Sequence, residues 1–122
     1  MPLLVRAFPL KAPVADLKQF AQELAAKRPE TDAFYRKYGV THESWHVQET
    51  PTGPWVIGVA KLADPTEAGP RYAASTEDFD AWFKDRVLRL SGIDLNRSPL
   101  GPQTTQVFEW SDKAVPRSNL CE

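Results

Sequence analysis

The stretch that decides the fold runs from Val40 to Leu62 and reads VTHESWHVQETPTGPWVIGVAKL. Its first half contains His42-Glu43-Ser44-Trp45-His46, which matches the H-E-x-x-H pattern of zinc peptidases. That pattern binds zinc on a helix, where residues four apart share one face. On a strand, which rises about 3.3 Å per residue, the two histidines would stand roughly 13 Å apart, too far for one metal ion.

Local residue preferences favour the strand. Val40, Thr41 and Val47 are β-branched and Trp45 is aromatic, as is typical of strands, and the turn residues Thr50–Gly53 follow. We therefore predict a β-hairpin with no metal site, and the zinc peptidase remains an alternative.

The turn also predicts which side chains share a face. If Thr50–Gly53 forms a type I turn with Gly53 left-handed, Gln48 lies opposite Val56 and His46 opposite Gly58. One face then carries polar groups opposite small ones: His42, Ser44, His46, Gln48, Val56, Gly58 and Ala60. The other face is predicted to press against helices through Trp45, Val47, Ile57 and Val59. The polar face fits either a cavity wall or a close helix approach with His46 as a hydrogen-bonded core residue.

Composition narrows the class of protein. The chain has 122 residues, 42% hydrophobic and 25% charged, which predicts one globular domain over residues 1–112 and a polar tail over 113–122. A net charge of −1 without a basic block argues against nucleic acid or an anionic membrane as a partner. The single cysteine, Cys121, allows no disulfide framework, and a cytoplasmic protein without a cofactor is expected.

Apolar spacing and breaker residues predict the other elements. We expect a strand over Leu3–Leu10, a helix from Val14 to about Arg28, a short helix from Thr31 to Gly39, a loop over 63–74, a helix from Ser75 or Thr76 to Gly92, and a strand over Thr104–Trp110. Asp80 and Lys84 are predicted to form an exposed pair on the last helix.

The order strand, helix, strand, strand, helix, strand is typical of an α+β, ferredoxin-like fold, with a four-stranded antiparallel sheet and both helices on one face. The other face would remain uncovered. A homodimer that pairs two such faces around a cavity is therefore expected.

Six short stretches carry a resemblance to known proteins: Tyr38–Thr41, Glu43–Trp45, Gln48–Pro51, Ala73–Thr76, Phe79–Lys84 and Gly92–Leu95. They resemble a family of small uncharacterised bacterial proteins in the dimeric α+β barrel superfamily, which includes antibiotic-biosynthesis-type monooxygenases and stress-responsive barrel proteins. The resemblance spans Leu3 to Asp112 and implies a ligand cavity in a dimeric barrel. Haem-handling members usually bind iron through a helix histidine, and neither main helix has one. The Asn/Trp/His set of the cofactor-free oxygenases is matched here only by Trp45 and His46.

Two functions follow from such a cavity. In the first, the protein binds a small apolar or aromatic ligand, and the contacts come from five residues: His42, Ser44, Gln48, Arg6 and Trp45. In the second, it is a monooxygenase-like or isomerase-like enzyme with His46 as general acid/base, because a histidine exchanges protons near neutral pH, and Arg6 anchors an anionic group. A third hypothesis is a tautomerase that uses Pro2 as an N-terminal amine after removal of Met1.

Overall fold

Three strands form one antiparallel sheet in the computed structural model, which describes residues 3–102 and 104–112. The strands are β1 (Leu3–Pro9), β2 (Val40–Thr50) and β3 (Gly53–Leu62), in the order β1-β3-β2. The described residues also contain four helices: α1 (Val14–Ala26), α2 (Arg28–Lys37), α3 (Pro65–Ala74) and α4 (Asp78–Ser91). The α+β class and the strand conformation of His42 to His46 are thereby confirmed.

The hairpin between β2 and β3 is one residue tighter than predicted. Thr50 pairs with Gly53, so that only Pro51 and Thr52 connect the strands. The Thr50 hydroxyl fixes this turn, since it accepts from the Thr52 N–H at 3.2 Å and donates to the Gly53 carbonyl at 2.7 Å. The predicted register is therefore wrong by one step, and a one-step shift turns every β2 side chain to the other face relative to β3.

A β-bulge lies near the start of β2. Val40 pairs with Leu62 and His42 with Lys61, so Thr41 is the extra residue between two aligned pairs. Because of it, Val40 and Glu43 face the same side of the sheet although they are three residues apart.

The core lies between one face of the sheet and the helices, and we call this the covered face. It holds Leu4, Arg6 and Phe8 of β1, Val56, Gly58, Ala60 and Leu62 of β3, and Glu43 and Trp45 of β2. Buried apolar residues of the helices pack against it: Leu17, Phe20, Leu24, Phe34, Phe83, Val87 and Leu90. The opposite face, the free face, holds Leu3, Val5, Ala7, Trp55, Ile57, Val59 and Lys61 with His42, Ser44, His46 and Gln48.

The helices α1 and α2 meet at a sharp break at Lys27. The helix predicted from Val14 to about Arg28 is present as α1 and ends at Ala26, and Pro29 lies in the first turn of α2, where a missing N–H costs nothing. Thr31 is not a cap. Its hydroxyl donates to the Leu24 carbonyl at 2.8 Å and fastens α2 to the end of α1. Gly39, with φ 71°, follows α2 as predicted.

The predicted loop over 63–74 is instead largely the helix α3. Asp64 caps it through Oδ1, which accepts from the N–H groups of Thr66 at 3.1 Å and Glu67 at 3.3 Å. Pro65 occupies the first helical position, where proline is favoured. A side-chain cap and a well-placed proline thus outweigh the helix-breaking tendency of Gly69 and Pro70.

The helix α4 carries the predicted apolar stripe and ends at Gly92, with φ 76°. It begins at Asp78, two to three residues later than predicted, and Ser75 Oγ accepts from the Glu77 N–H at 3.3 Å. The exposed pair of Asp80 and Lys84 is wrong, because the two residues are 0% and 3% exposed and bind other partners.

The predicted fourth strand is not present. Residues 104–112 form neither helix nor strand, and Thr104 reaches the edge of β1 only through its hydroxyl, which donates to the Val5 carbonyl at 2.7 Å. Alternation alone therefore did not provide the backbone hydrogen bonds that a strand requires. The predictions about Met1 and Pro2, the tail over 113–122 and Cys121 concern residues outside the described part of the chain.

Candidate functional site

A cavity of about 550 Å³ lies between the covered face and the helices. The sheet provides its floor, and α3 and residues 95–100 provide one side. Its lining is mostly apolar and aromatic, with Phe8, Phe20, Phe34, Trp45, Val56, Ala60, Phe83 and Leu95 among the contributors. This size and lining are typical of small-molecule sites, which combine apolar walls with a few polar groups.

Gly58 has no side chain and therefore leaves the middle of the cavity floor open. On the sheet it lies between Arg6 of β1 and Trp45 of β2. A Cβ atom at this position would have its nearest contacts at 4.0 Å, to Glu43 Oε2 and to Trp45 Cδ1. The backbone therefore tolerates a side chain here, and the glycine leaves space that a larger residue would fill.

Glu43 is the acidic group of the cavity. Trp45 donates from Nε1 to Glu43 Oε2 at 3.1 Å, and the indole itself stacks on Phe20 with ring centroids 5.4 Å apart. Burial raises the pKa of Glu43 to about 7, although the hydrogen bond from Trp45 acts in the opposite direction. The carboxyl group thus changes charge close to neutral pH, which is the property of a general acid or base.

Two tyrosines extend this polar cluster. Burial raises the pKa of Tyr35 and of Tyr72 well above the ordinary phenol value, and the charge of Glu43 adds to the effect on both. The Tyr72 hydroxyl is buried without a hydrogen-bond partner among the described residues. An unsatisfied buried hydroxyl costs free energy, so a ligand that accepts its hydrogen bond would recover that cost.

A buried network behind the cavity holds α2 against α4. Both carboxylate oxygens of Asp80 accept from Lys37 Nζ, at 3.0 and 2.9 Å, and Oδ2 also accepts from the Tyr38 hydroxyl at 2.5 Å. Burial alone would raise the pKa of Asp80, but hydrogen bonds from Tyr38, Ser75 and Lys37 outweigh it and hold the pKa below its ordinary value.

Lys84 ties two parts of the cavity wall together. Its Nζ donates to the carbonyls of Ala73 at 3.2 Å and Ser75 at 2.8 Å, and to Asn96 Oδ1 at 2.9 Å. The end of α3 and the segment over 95–100 are thereby held at a fixed spacing. Burial lowers the pKa of Lys84, while the charges of Asp80 and Asp94 oppose that shift.

The register decides where the predicted site residues lie. Trp45 and Arg6 line the cavity. The other four, His42, Ser44, His46 and Gln48, lie on the free face, where they pair with Lys61, Val59, Ile57 and Trp55. His46 is exposed, and its Nε2 lies 3.0 Å from Ser44 Oγ. Gly58 and Ala60 were predicted on the uncovered face, and Ile57 and Val59 against the helices. The structure reverses this: Gly58 and Ala60 lie under the helices beside Trp45 and Glu43, and Ile57 and Val59 lie on the free face. The cavity is therefore on the opposite side of the sheet from the face predicted to pair with a second copy.

The sequence prediction missed Glu43 and Tyr72 for two separate reasons. The one-residue register error paired the β2 face that carries Glu43 and Trp45 with Ile57 and Val59 instead of Gly58 and Ala60, and a two-residue turn at Pro51-Thr52 would have placed Glu43 beside Ala60. Tyr72 lies in α3, a helix that was predicted as a loop. Phe34 and Tyr38 are both buried in the core.

Comparison of the chain with protein-family models, with curated proteins and with solved structures found no match. The resemblance to dimeric α+β barrels therefore remains a prediction. Within residues 3–102 and 104–112, no three His, Cys, Asp or Glu side chains are grouped to hold a metal ion. The helices of that same part of the chain are all too short or too polar to cross a membrane.

Proposed function

We propose that the protein binds a small, largely aromatic ligand that carries a hydroxyl group, in the cavity between the sheet and the helices. One observation carries the proposal: an apolar cavity of about 550 Å³ contains a carboxyl group and an unsatisfied phenol. A ligand hydroxyl donates to Glu43 and accepts from Tyr72, while the ring packs against Phe20 and Phe34. The apolar contacts supply affinity and the two polar groups supply orientation.

Calorimetric titration with β-naphthol tests this proposal. Saturable binding is expected to the wild-type protein, and Gly58→Leu should abolish it because the added side chain occupies the floor of the cavity. Val59→Leu is the matched control, since it adds bulk to the next residue of the same strand on the free face. Equal binding by the wild type and Gly58→Leu, or no binding at all to the wild type, would contradict the proposal.

A second candidate function is proton transfer by the same carboxyl group. It is favoured by the pKa of Glu43, which burial raises to about 7 and which matches the working pH of a general base. In this function Glu43 takes a proton from a carbon next to a ligand carbonyl, and the Tyr72 hydroxyl donates to the resulting enolate oxygen. The proton returns to carbon from Glu43, so the step needs no cofactor. The role that the sequence suggested for His46 thus passes to Glu43.

Hydrogen exchange distinguishes the enzyme from the binding protein. The α-hydrogens of β-tetralone, a bicyclic ketone of similar size, are followed by NMR in deuterated buffer. An enzyme accelerates the exchange, and Glu43→Gln removes the acceleration while the ketone still binds. Exchange at the buffer rate with bound ketone would leave binding as the function.

We also infer that the chain completes a ferredoxin-like arrangement as a homodimer through the free face of the sheet. Helices pack on the other face, and the apolar residues Val5, Ile57 and Val59 are only half-buried. Leu3 is 47% exposed, and Phe108 and Trp110 are 80% and 74% exposed, which adds apolar area for a second copy to cover. Light scattering should give the mass of two chains, and Val59→Asp should give the mass of one.

A further inference from the structure

Arg6 is the cation that the cavity wall leaves without an acidic partner. It lies on the covered face of β1, opposite Gly58, and its side chain lines the cavity. Nη1 donates to the Gly101 carbonyl at 3.2 Å. The ion pairs formed between described residues involve other cations.

The hydrogen bond to the Gly101 carbonyl occupies only one of the N–H donors of the Arg6 guanidinium. The group carries five N–H donors in a planar fork, a geometry that matches the two oxygens of a carboxylate. Holding the Gly101 carbonyl alone would require only a neutral donor. A partly buried cation beside apolar walls is costly unless it is paired, so the remaining donors of Arg6 indicate an anionic partner that the described chain does not supply.

The charges along the cavity wall also favour an anionic ligand. Three lining residues have side chains that carry charge near neutral pH: Arg6, Arg97 and Glu43. Arg97 has a distant partner in Asp94, at 3.8 Å. Because burial raises the pKa of Glu43 to about 7, its carboxyl is only partly ionised at neutral pH, and the wall is positive on balance.

The geometry of the sheet sets the distance between Arg6 and Glu43, the two polar ends of the cavity. Arg6 and Trp45 are separated by one intervening strand, so their backbones are about 10 Å apart, and Glu43 lies roughly 12 Å from Arg6. Gly58 lies between them and leaves the floor open. A flat bicyclic molecule therefore fits with one end toward Glu43 and the other toward the guanidinium.

We propose that the ligand of this cavity is an aromatic carboxylate, whose carboxylate group pairs with Arg6 while its hydroxyl lies at Glu43 and Tyr72. The inference rests on the proposed ligand-binding function and specifies its chemical class. The same guanidinium then holds both the ligand and the Gly101 carbonyl, so that ligand binding steadies the segment that forms one cavity wall.

The test compares two probes that differ by one group: β-naphthol and the hydroxynaphthoate that carries an added carboxylate on the far ring. Calorimetry on the wild-type protein should show hydroxynaphthoate binding about tenfold more tightly, as a charged hydrogen-bonded pair provides. Arg6→Gln should remove this preference, so that the two probes bind the variant with affinities within about threefold of each other. Arg6→Lys should keep part of the preference, because it keeps the charge but loses the fork.

Arg36→Gln, which removes an exposed arginine of α2, is the matched control and should keep the full preference. If β-naphthol binds but the carboxylate gives no gain, or if the gain persists in Arg6→Gln, the carboxylate proposal is overturned while ligand binding stands. If neither probe binds the wild type, the proposed function itself fails.

Discussion

The two faces of the sheet have similar amounts of apolar side chain but different environments. On the covered face, Phe8 and Val56 are 6% and 2% exposed. On the free face, Val5, Ile57 and Val59 are only half-buried. Apolar composition therefore does not identify the face that helices cover. Strand register decides which side chains share that face, since it places Glu43 rather than Ser44 beside Ala60.

The largest effect on the free energy of unfolding is expected when an aspartate replaces a valine on the covered face, and the same change on the free face provides the comparison. Val56→Asp buries an unpaired carboxylate under the helices and should lower the free energy of unfolding by about 4 kcal/mol. Val59→Asp, with the same loss of strand preference, should lower it by about 1 kcal/mol. Urea unfolding followed by circular dichroism, at a protein concentration low enough that the chain is a monomer, gives both values, and equal losses would show that the free face of a single chain is as tightly covered as the other.

The next prediction compares a buried and an exposed aspartate of α4. Asp80→Asn weakens the bonds from Lys37 and Tyr38 and should cost about 3 kcal/mol, whereas Asp78→Asn, at an exposed position of the same helix, should cost little. Because the folded pKa of Asp80 is lowered, its stabilisation is present above the ordinary value of 3.8 and is lost as the pH falls through the folded pKa. The difference between wild type and Asp80→Asn should shrink in acid; a constant difference down to strongly acidic pH would show that the charge of Asp80 is not the cause.

Glu43 should behave in the opposite way. Its folded pKa of about 7 lies above the ordinary value of 4.5, so ionisation of this group opposes folding as the pH rises between those two values. Glu43→Gln should be more stable than the wild type by about 2 kcal/mol above pH 7, less than the full shift would give because the side chain is partly exposed, and no more stable near pH 4. Thermal unfolding across this pH range measures the effect, and a pH-independent difference would rule out the raised pKa.

The smallest effect is expected on the free face. His46→Ala removes an exposed side chain whose Nε2 lies 3.0 Å from Ser44 Oγ, and it should change the free energy of unfolding by no more than about 0.5 kcal/mol. Binding of β-naphthol should be unchanged, because His46 lies across the sheet from the cavity. A large loss of affinity would instead place a ligand on the free face, as the sequence first suggested.

These contrasts also explain what the sequence could predict. Strong periodicity identified β1, the strands of the hairpin and the apolar stripe of α4, and these were predicted correctly. The turn length decides which β2 side chains share a face with Gly58 and Ala60. The sequence predicted this length wrongly by one residue. The hydroxyl of Thr50 closes a two-residue turn, a detail that no hydrophobic pattern records.

Two further differences come from contacts distant in sequence. Asp80 and Lys84 fit an exposed ion pair by helical spacing, but their partners lie on α2 and around residues 73–75 and 96, which local spacing does not reveal. The segment over Thr104–Trp110 alternates like a strand, yet the structure joins it to β1 through the Thr104 hydroxyl. Of the candidate site, Arg6 and Trp45 were identified from sequence, whereas Glu43 and Tyr72 required the correct register and the helix α3.

The bulge at Thr41 has a consequence for changes in chain length. Register beyond the bulge is set by the turn at Pro51-Thr52, and register before it is set by the pairing of Val40 with Leu62. The two parts of β2 are thus aligned independently. Deleting Thr41 would convert the bulge into regular strand, with Val40 still opposite Leu62 and Glu43 still beside Ala60. A one-residue deletion at this point of the gene would therefore leave both the rim of the cavity and its acidic group in place.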